Sequence, residues 1–120
     1  MPAPRDIRLK RIYDPPEESD GIRVLVDRIW PRGVRKEDAK LDYWMKSIAP
    51  STALRKWFAH DLARWDAFRE RYRNELQSHA SELGDLRKYA MKSRLTLVFA
   101  AKDREHNQAV VIKAALDDFA

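Results

Sequence analysis

Two short polar clusters hold most of the chemistry that this chain could perform. Asp27-Arg28, with Trp30-Pro31-Arg32-Gly33, follows the apolar run Val24-Leu25-Val26, and Lys102-Asp103, with His106-Asn107, follows the run Leu95 to Ala100. In open α/β sheets, ligands bind beyond the carboxyl ends of the strands. If the two runs are parallel neighbours, both clusters rise from one edge of the sheet into a shared crevice. Arg28, Arg32 and Lys102 would then offer positive charge to a phosphate or carboxylate, helped by the unpaired N–H groups of a helix start. Asp27 and Asp103 would orient, and His106 or His60 would handle protons, because imidazole titrates near neutrality. Trp30 could stack on a flat group, and Asn107 is a further ligand-binding candidate. The plainer alternative is an Asp27–Arg28 ion pair with Asp103 as a helix cap. The two clusters together favour a site over that alternative.

Ser51 with His60-Asp61 is a third candidate, Ser51 as a ligand contact and the His-Asp pair as a proton or metal site. Ser51 and Asp61 both sit where helices should start, so capping competes with any triad, and no Gly-x-Ser-x-Gly elbow surrounds Ser51. A metal held by His60, Asp61, Asp103 and His106 is an alternative without a His-Glu-x-x-His signature. The chain has no cysteine, which removes thiolate nucleophiles, disulfides and Cys-based metal sites. With three glycines in all, neither a dinucleotide fingerprint nor a P-loop is present. The cofactor, if the chain uses one, is left open.

The elements that must position these residues follow from periodicity. Ile7 and Leu9, extending to Tyr13, alternate with charged residues as in a half-buried strand. Asp14 to Gly21 reads as a loop ending in an Asp-Gly turn. Ile22 to Ile29 is a strand buried on both faces, ended by Pro31 and Gly33. Lys36 to Lys40 is a helical turn, while Leu41 to Ile48 fits either a strand or a helix. Ser51 caps a helix over Thr52 to Ala59. Asp61 caps the next, where Leu62, Trp65, Phe68, Tyr72 and Leu76 recur at spacings of three and four. A break near Ala80-Ser81 leads to a helix carrying Leu83, Leu86 and Ala90. Leu95 to Ala100 is a second buried strand, and the last helix carries Ala109, Ile112, Leu116 and Phe119. The order predicts an α/β domain with a small, single-layer, mostly parallel sheet of about four strands flanked by helices. Its 120 residues suit a single domain, with no repeat or linker to divide it.

Composition narrows the partners. Lys and Arg number 24 against 19 Asp and Glu, a net charge of +5, but the charges interleave along the chain and form no basic run. A small anionic ligand, a nucleotide-like molecule among the candidates, is therefore expected ahead of nucleic acid. The alternative, non-specific nucleic-acid binding, would use the arginines of the Asp61–His79 helix, Arg64 and Arg71 among them. No apolar stretch approaches the length of a membrane span, and Met1 to Asp6 lacks the apolar core of a secretory signal. A cytoplasmic location is expected. Oligomeric state is left open.

Several longer motifs resemble a known family. Arg11-Ile12-Tyr13-Asp14-Pro15-Pro16, the segment Asp20 to Gly33 with its Val-Asp-Arg-Ile-Trp-Pro-Arg-Gly core, Ala49-Pro50-Ser51, Arg55-Lys56-Trp57-Phe58, His60-Asp61, Arg64-Trp65 and Ala100 to Asn107 are similar to the YeaO-like branch of the bacterial family called domain of unknown function 488. The resemblance covers nearly the whole chain. It implies a compact α/β fold, no established activity, and a strand over 41–48. In this branch a second histidine often follows the His-Asn pair, where this chain has Gln108. Other branches carry a cysteine–histidine–arginine helix start near 106–108, so the missing cysteine sets this chain apart from any thiol chemistry there.

Overall fold

The structure, a computed structural model, describes residues 6–118. Four strands form one sheet: β1 (Ile7–Arg11), β2 (Ile22–Leu25), β3 (Tyr43–Trp44) and β4 (Leu95–Phe99). Their order is β1-β4-β2-β3 and every pairing is parallel, so this is a small α/β fold as the patterning predicts. The helices are α1 (Lys36–Ala39), α2 (Thr52–Phe58), α3 (Trp65–Leu76), α4 (Ala80–Lys92) and α5 (Gln108–Asp118). None of them is long and apolar enough to cross a membrane.

Successive side chains on a strand point to opposite faces, and the two runs that read as continuously apolar serve both. Val24, Val26, Leu95, Leu97 and Phe99 join the main core with residues from α2, α3, α4 and α5. Leu25 and Val98 face the other way, into a smaller cluster with Ile12 and Ala39, edged by Trp30, Val34 and Trp44. The amino end of that second face is polar and still buried. There Arg23 Nη1 donates to Asp20 Oδ2 at 2.7 Å and Lys10 Nζ to Asp20 Oδ1 at 3.0 Å. Arg23 also donates to the carbonyls of Ala39 (2.9 Å) and Lys40 (3.2 Å), and Thr96 Oγ1 to that of Asp20 (2.7 Å).

Gly21 turns the chain into β2 with φ +68°, where a Cβ would lie 2.1 Å from the Arg94 carbonyl oxygen. That carbonyl accepts the Ile22 N–H at 2.9 Å, so the backbone cannot retreat without breaking the entry to the sheet. Gly21→Ala is expected to cost about 2–3 kcal/mol through the backbone clash and the left-handed φ. Urea unfolding would read this as a lower midpoint, and a midpoint equal to that of the natural chain would contradict it.

Several boundaries differ from the sequence expectation. β2 ends at Leu25, not Ile29. Val26 N still donates to Val98 O at 3.0 Å, and in a parallel ladder the next donor would be Ala100 N–H. That N–H goes instead to the Asp27 carboxylate (Oδ2, 3.1 Å), so the chain leaves the sheet and Ile29 is 60% exposed. Tyr13 likewise lies beyond β1, half-exposed, its hydroxyl donating to Arg32 O at 2.9 Å. Segment 41–48 is split: Tyr43–Trp44 pairs with β2, and Lys46–Ile48 makes a 3-10 turn. Its end is held by the buried Tyr72 hydroxyl, which donates to Ile48 O at 2.6 Å.

Both expected caps form, with Leu54 N donating to Ser51 Oγ (3.2 Å) and Ala63 N to Asp61 Oδ1 (3.0 Å). Asp61, however, caps a 3-10 turn over Leu62–Arg64, and α3 begins at Trp65. Leu62 is therefore 57% exposed instead of joining the α3 stripe. The break after α3 falls at Gln77–His79, ahead of Ala80. Phe119 lies outside the described residues.

Candidate functional site

β2 and β4 are parallel neighbours, so Asp27 and the loop after Phe99 do emerge from the same sheet edge. A cavity of about 720 Å³ opens there. Its wall includes Asp27, Arg28, His60, Lys102, Asp103, His106 and Asn107 from the sequence-derived set. Three members of that set lie elsewhere. Trp30 packs edge-on against Trp44 at 5.3 Å, its indole N–H donating to Val34 O (2.7 Å), and so serves the smaller core. Arg32 stays exposed on its Pro-Arg-Gly loop. Ser51 Oγ, besides capping α2, donates to Glu75 Oε2 on α3 at 2.6 Å.

The ion pair between Asp27 and Arg28, the plainer alternative to a site, is absent among the described residues. Arg28 donates to the carbonyls of Ala49 (3.0 Å) and Pro50 (3.2 and 3.3 Å), and so pins the chain entering α2. Asp27 accepts from Ala100 N and from the Gln108 side-chain amide. Burial outweighs those hydrogen bonds and the nearby Arg55 charge, and pushes its carboxyl up to about 6 from an ordinary 3.8.

The loop between β4 and α5 supplies its own anion. Asp103 Oδ1 accepts the N–H groups of Glu105 (2.9 Å) and His106 (3.0 Å), and Asn107 Oδ1 accepts that of Val110 (3.2 Å). These amides are therefore not the anion donors that the sequence suggests. Asn107 is the buried cap of α5, its amide donating to Asp103 O at 2.9 Å. Asp103 Oδ2 also lies 2.9 Å from His106 Nδ1, and the backbone N–H of Glu105, with His106, holds its carboxyl below the usual range. With Nδ1 turned to Asp103, His106 keeps Nε2 for another partner, while its ring meets Trp65 edge-on at 5.1 Å. His60 follows α2 as the second of two left-handed residues, Ala59 and His60 (φ 45° and 58°).

Two further wall residues escape a reading for motifs. Arg55 comes from the exposed face of α2, and Gln108 is the first residue of α5. The signal for Gln108 is its position directly after the His-Asn pair, where the family resemblance marks a glutamine in place of a second histidine. Phe58, Phe68, Leu62 and Pro50 supply an apolar side to the cavity. Among the described residues no group of three or more His, Asp or Glu side chains could hold a metal ion. Arg64 and Arg71 lie over the Trp57 ring at 5.0 and 4.1 Å.

A parallel four-stranded sheet with this cavity at its carboxyl edge defines an α/β domain, and the chain belongs to the domain of unknown function 488 family. The family profile described as "Inactive DUF488-N3 subclade" matches residues 6–119. Among similar proteins, "Uncharacterized protein YeaO" of Escherichia coli strain K12 is 49% identical over 107 residues, covering 89% of this chain and 93% of that one. "Uncharacterized protein Rv3073c" of Mycobacterium tuberculosis strain H37Rv and "Uncharacterized protein Mb3100c" of Mycobacterium bovis are each 41% identical over 111 residues, covering 92% of this chain and 93% of theirs. No solved structure matches the chain.

Proposed function

We propose that the protein binds a small anionic molecule, bearing a phosphate or carboxylate, in the cavity beyond β2 and β4, and holds it without transforming it. The observation that carries this reading is a pair of cations. Lys102 and Arg55 line the cavity, and their side chains make no hydrogen bond or ion pair among the described residues. The nearby carboxylates form no ion pair with them, since Asp103 is engaged by His106 and Asp27 by the Ala100 N–H and the Gln108 amide. Retention without turnover accords with the absence of cysteine and with the word "Inactive" in the description of the subclade.

Thermal unfolding against inorganic phosphate, sugar phosphates, nucleoside monophosphates and dicarboxylates tests this. A ligand at about a hundred times its dissociation constant stabilises by about 2.7 kcal/mol, an easily measured rise in melting temperature. Apparent affinity is expected to fall at least about tenfold in Lys102→Ala and in Arg55→Ala, because each removes a charge-assisted contact. A protein indifferent to the whole panel, with both variants behaving identically, would sink the reading.

A further inference from the structure

The cavity is polarised in a way that a simple anion does not satisfy. Lys102 and Arg55 are exposed at its border, whereas Asp27 and Gln108 are half-buried. A phosphate drawn to the border would be repelled by an ionised Asp27 if it went further in. Whatever reaches Asp27 must therefore offer it a hydrogen-bond donor.

Each Asp27 oxygen already accepts one hydrogen bond, from Ala100 N and from Gln108, and a carboxylate oxygen can accept a second. Gln108 spends one amide N–H on Asp27. Its carbonyl oxygen and other N–H have no partner among the described residues. The two side chains together thus present acceptor, acceptor and donor positions from adjacent groups tied to each other. The wall also has an apolar part, with Pro50, Leu62, Phe58 and Phe68, the two phenyl rings stacked at 4.4 Å. A volume of about 720 Å³ lies within the range of sites that enclose a small organic ligand.

Resting on the anion-binding reading, we infer that the ligand is a nucleoside monophosphate, its base edge on Asp27 and Gln108 and its phosphate at Lys102 and Arg55. A nucleobase edge places N–H donors next to ring or carbonyl acceptors, which matches the carboxylate–amide pair. Its flat apolar faces match the wall. Sugar phosphates lack the aromatic base, and dicarboxylates would bring a second negative charge to Asp27.

Calorimetric titration of the full chain with the four common ribonucleoside monophosphates, ribose 5-phosphate, phosphoserine and inorganic phosphate tests the inference. At least one nucleotide is expected to bind about tenfold or more tightly than ribose 5-phosphate. Gln108→Ala is expected to reduce that preference to about twofold or less while leaving ribose 5-phosphate binding unchanged. Asp27→Asn, which keeps the size of the side chain, serves as the second variant, and circular dichroism confirms that both fold. Ribose 5-phosphate binding as tightly as every nucleotide, or phosphoserine binding best, would overturn base recognition and leave the anion reading standing. A preference unchanged in both variants would overturn the assignment to Asp27 and Gln108. Binding by none of these compounds would overturn the nucleotide inference, and a protein that the dicarboxylates also leave unmoved would overturn the anion reading with it.

Discussion

Replacing Asp27 by asparagine is expected to make the protein more stable at neutral pH, by about 1–2 kcal/mol. The sign follows from linkage. The Asp27 carboxyl has a folded pKa of about 6 against an ordinary 3.8, so the folded state holds its proton more tightly than the unfolded chain does. That contribution is fully present below the unfolded value and is lost as pH rises through the folded one. At neutral pH the ionised carboxylate thus opposes folding, by about 3 kcal/mol at most from a shift of this size at 1.36 kcal/mol per unit. The Asp27→Asn substitution removes the charge, and the new amide can keep the bond from Ala100 N–H while turning its own N–H groups toward Gln108. Urea titrations across the acid range would show the natural chain gaining stability from about pH 7 down to about pH 4, and Asp27→Asn losing that gain. A natural chain with no such gain would show that Asp27 titrates as an ordinary carboxylate. A group kept at the expense of stability, lining a cavity, is the pattern of a functional carboxyl.

The opposite sign is expected at Asp20, with a larger magnitude. Burial raises its carboxyl, but the Glu17 N–H, Lys10 and Arg23 more than compensate and hold it below its ordinary value. Its stabilisation is therefore present above the unfolded pKa and lost on acidification through the folded one. Asp20→Ala would strand the Arg23 guanidinium, whose side chain is 4% exposed, without a counter-charge beneath the sheet. Breaking a buried pair from one side typically costs about 3–5 kcal/mol. The variant should unfold at a much lower urea concentration, and the double variant Asp20→Ala/Arg23→Met should recover part of the loss. A single variant within about 0.5 kcal/mol of the natural chain would mean that the pair is hydrated.

The elements with strong periodicity were legible in advance. Leu95 to Ala100 and Ile22 to Ile29 read as buried strands because both faces of their apolar runs are covered, though each strand ends earlier, at Phe99 and Leu25, and Ser51 marked the start of α2 because its oxygen takes the Leu54 N–H. Segment 41–48 resisted because two paired residues followed by a 3-10 turn complete neither a strand period nor a helical one. The sheet-end rule located Asp27, Lys102 and Asp103 from a presumption of parallel neighbours that the β2–β4 pairing supports. It could not place Arg55 or Gln108, which reach the cavity from helices and whose contacts depend on how those helices dock. Arg28 shows the complementary error. Its charge suggested a ligand, but unpaired carbonyls at Ala49 and Pro50 claimed it first.

The sheet's two outer strands bear on how the molecule behaves in a crowd. An unpaired strand edge is a template on which a second chain can add itself. Among the described residues β1 pairs with β4 alone, and Arg8 near its amino end stands exposed beside Asp6. At the far side β3 offers a two-residue stub, with Lys46 lying 5.0 Å over the Trp44 ring. A chain attempting to extend the ladder would meet an exposed ion pair on one margin and almost no ladder on the other. Such margins discourage runaway strand-on-strand association, a safeguard for a parallel sheet whose partners lie far apart in sequence and pair late.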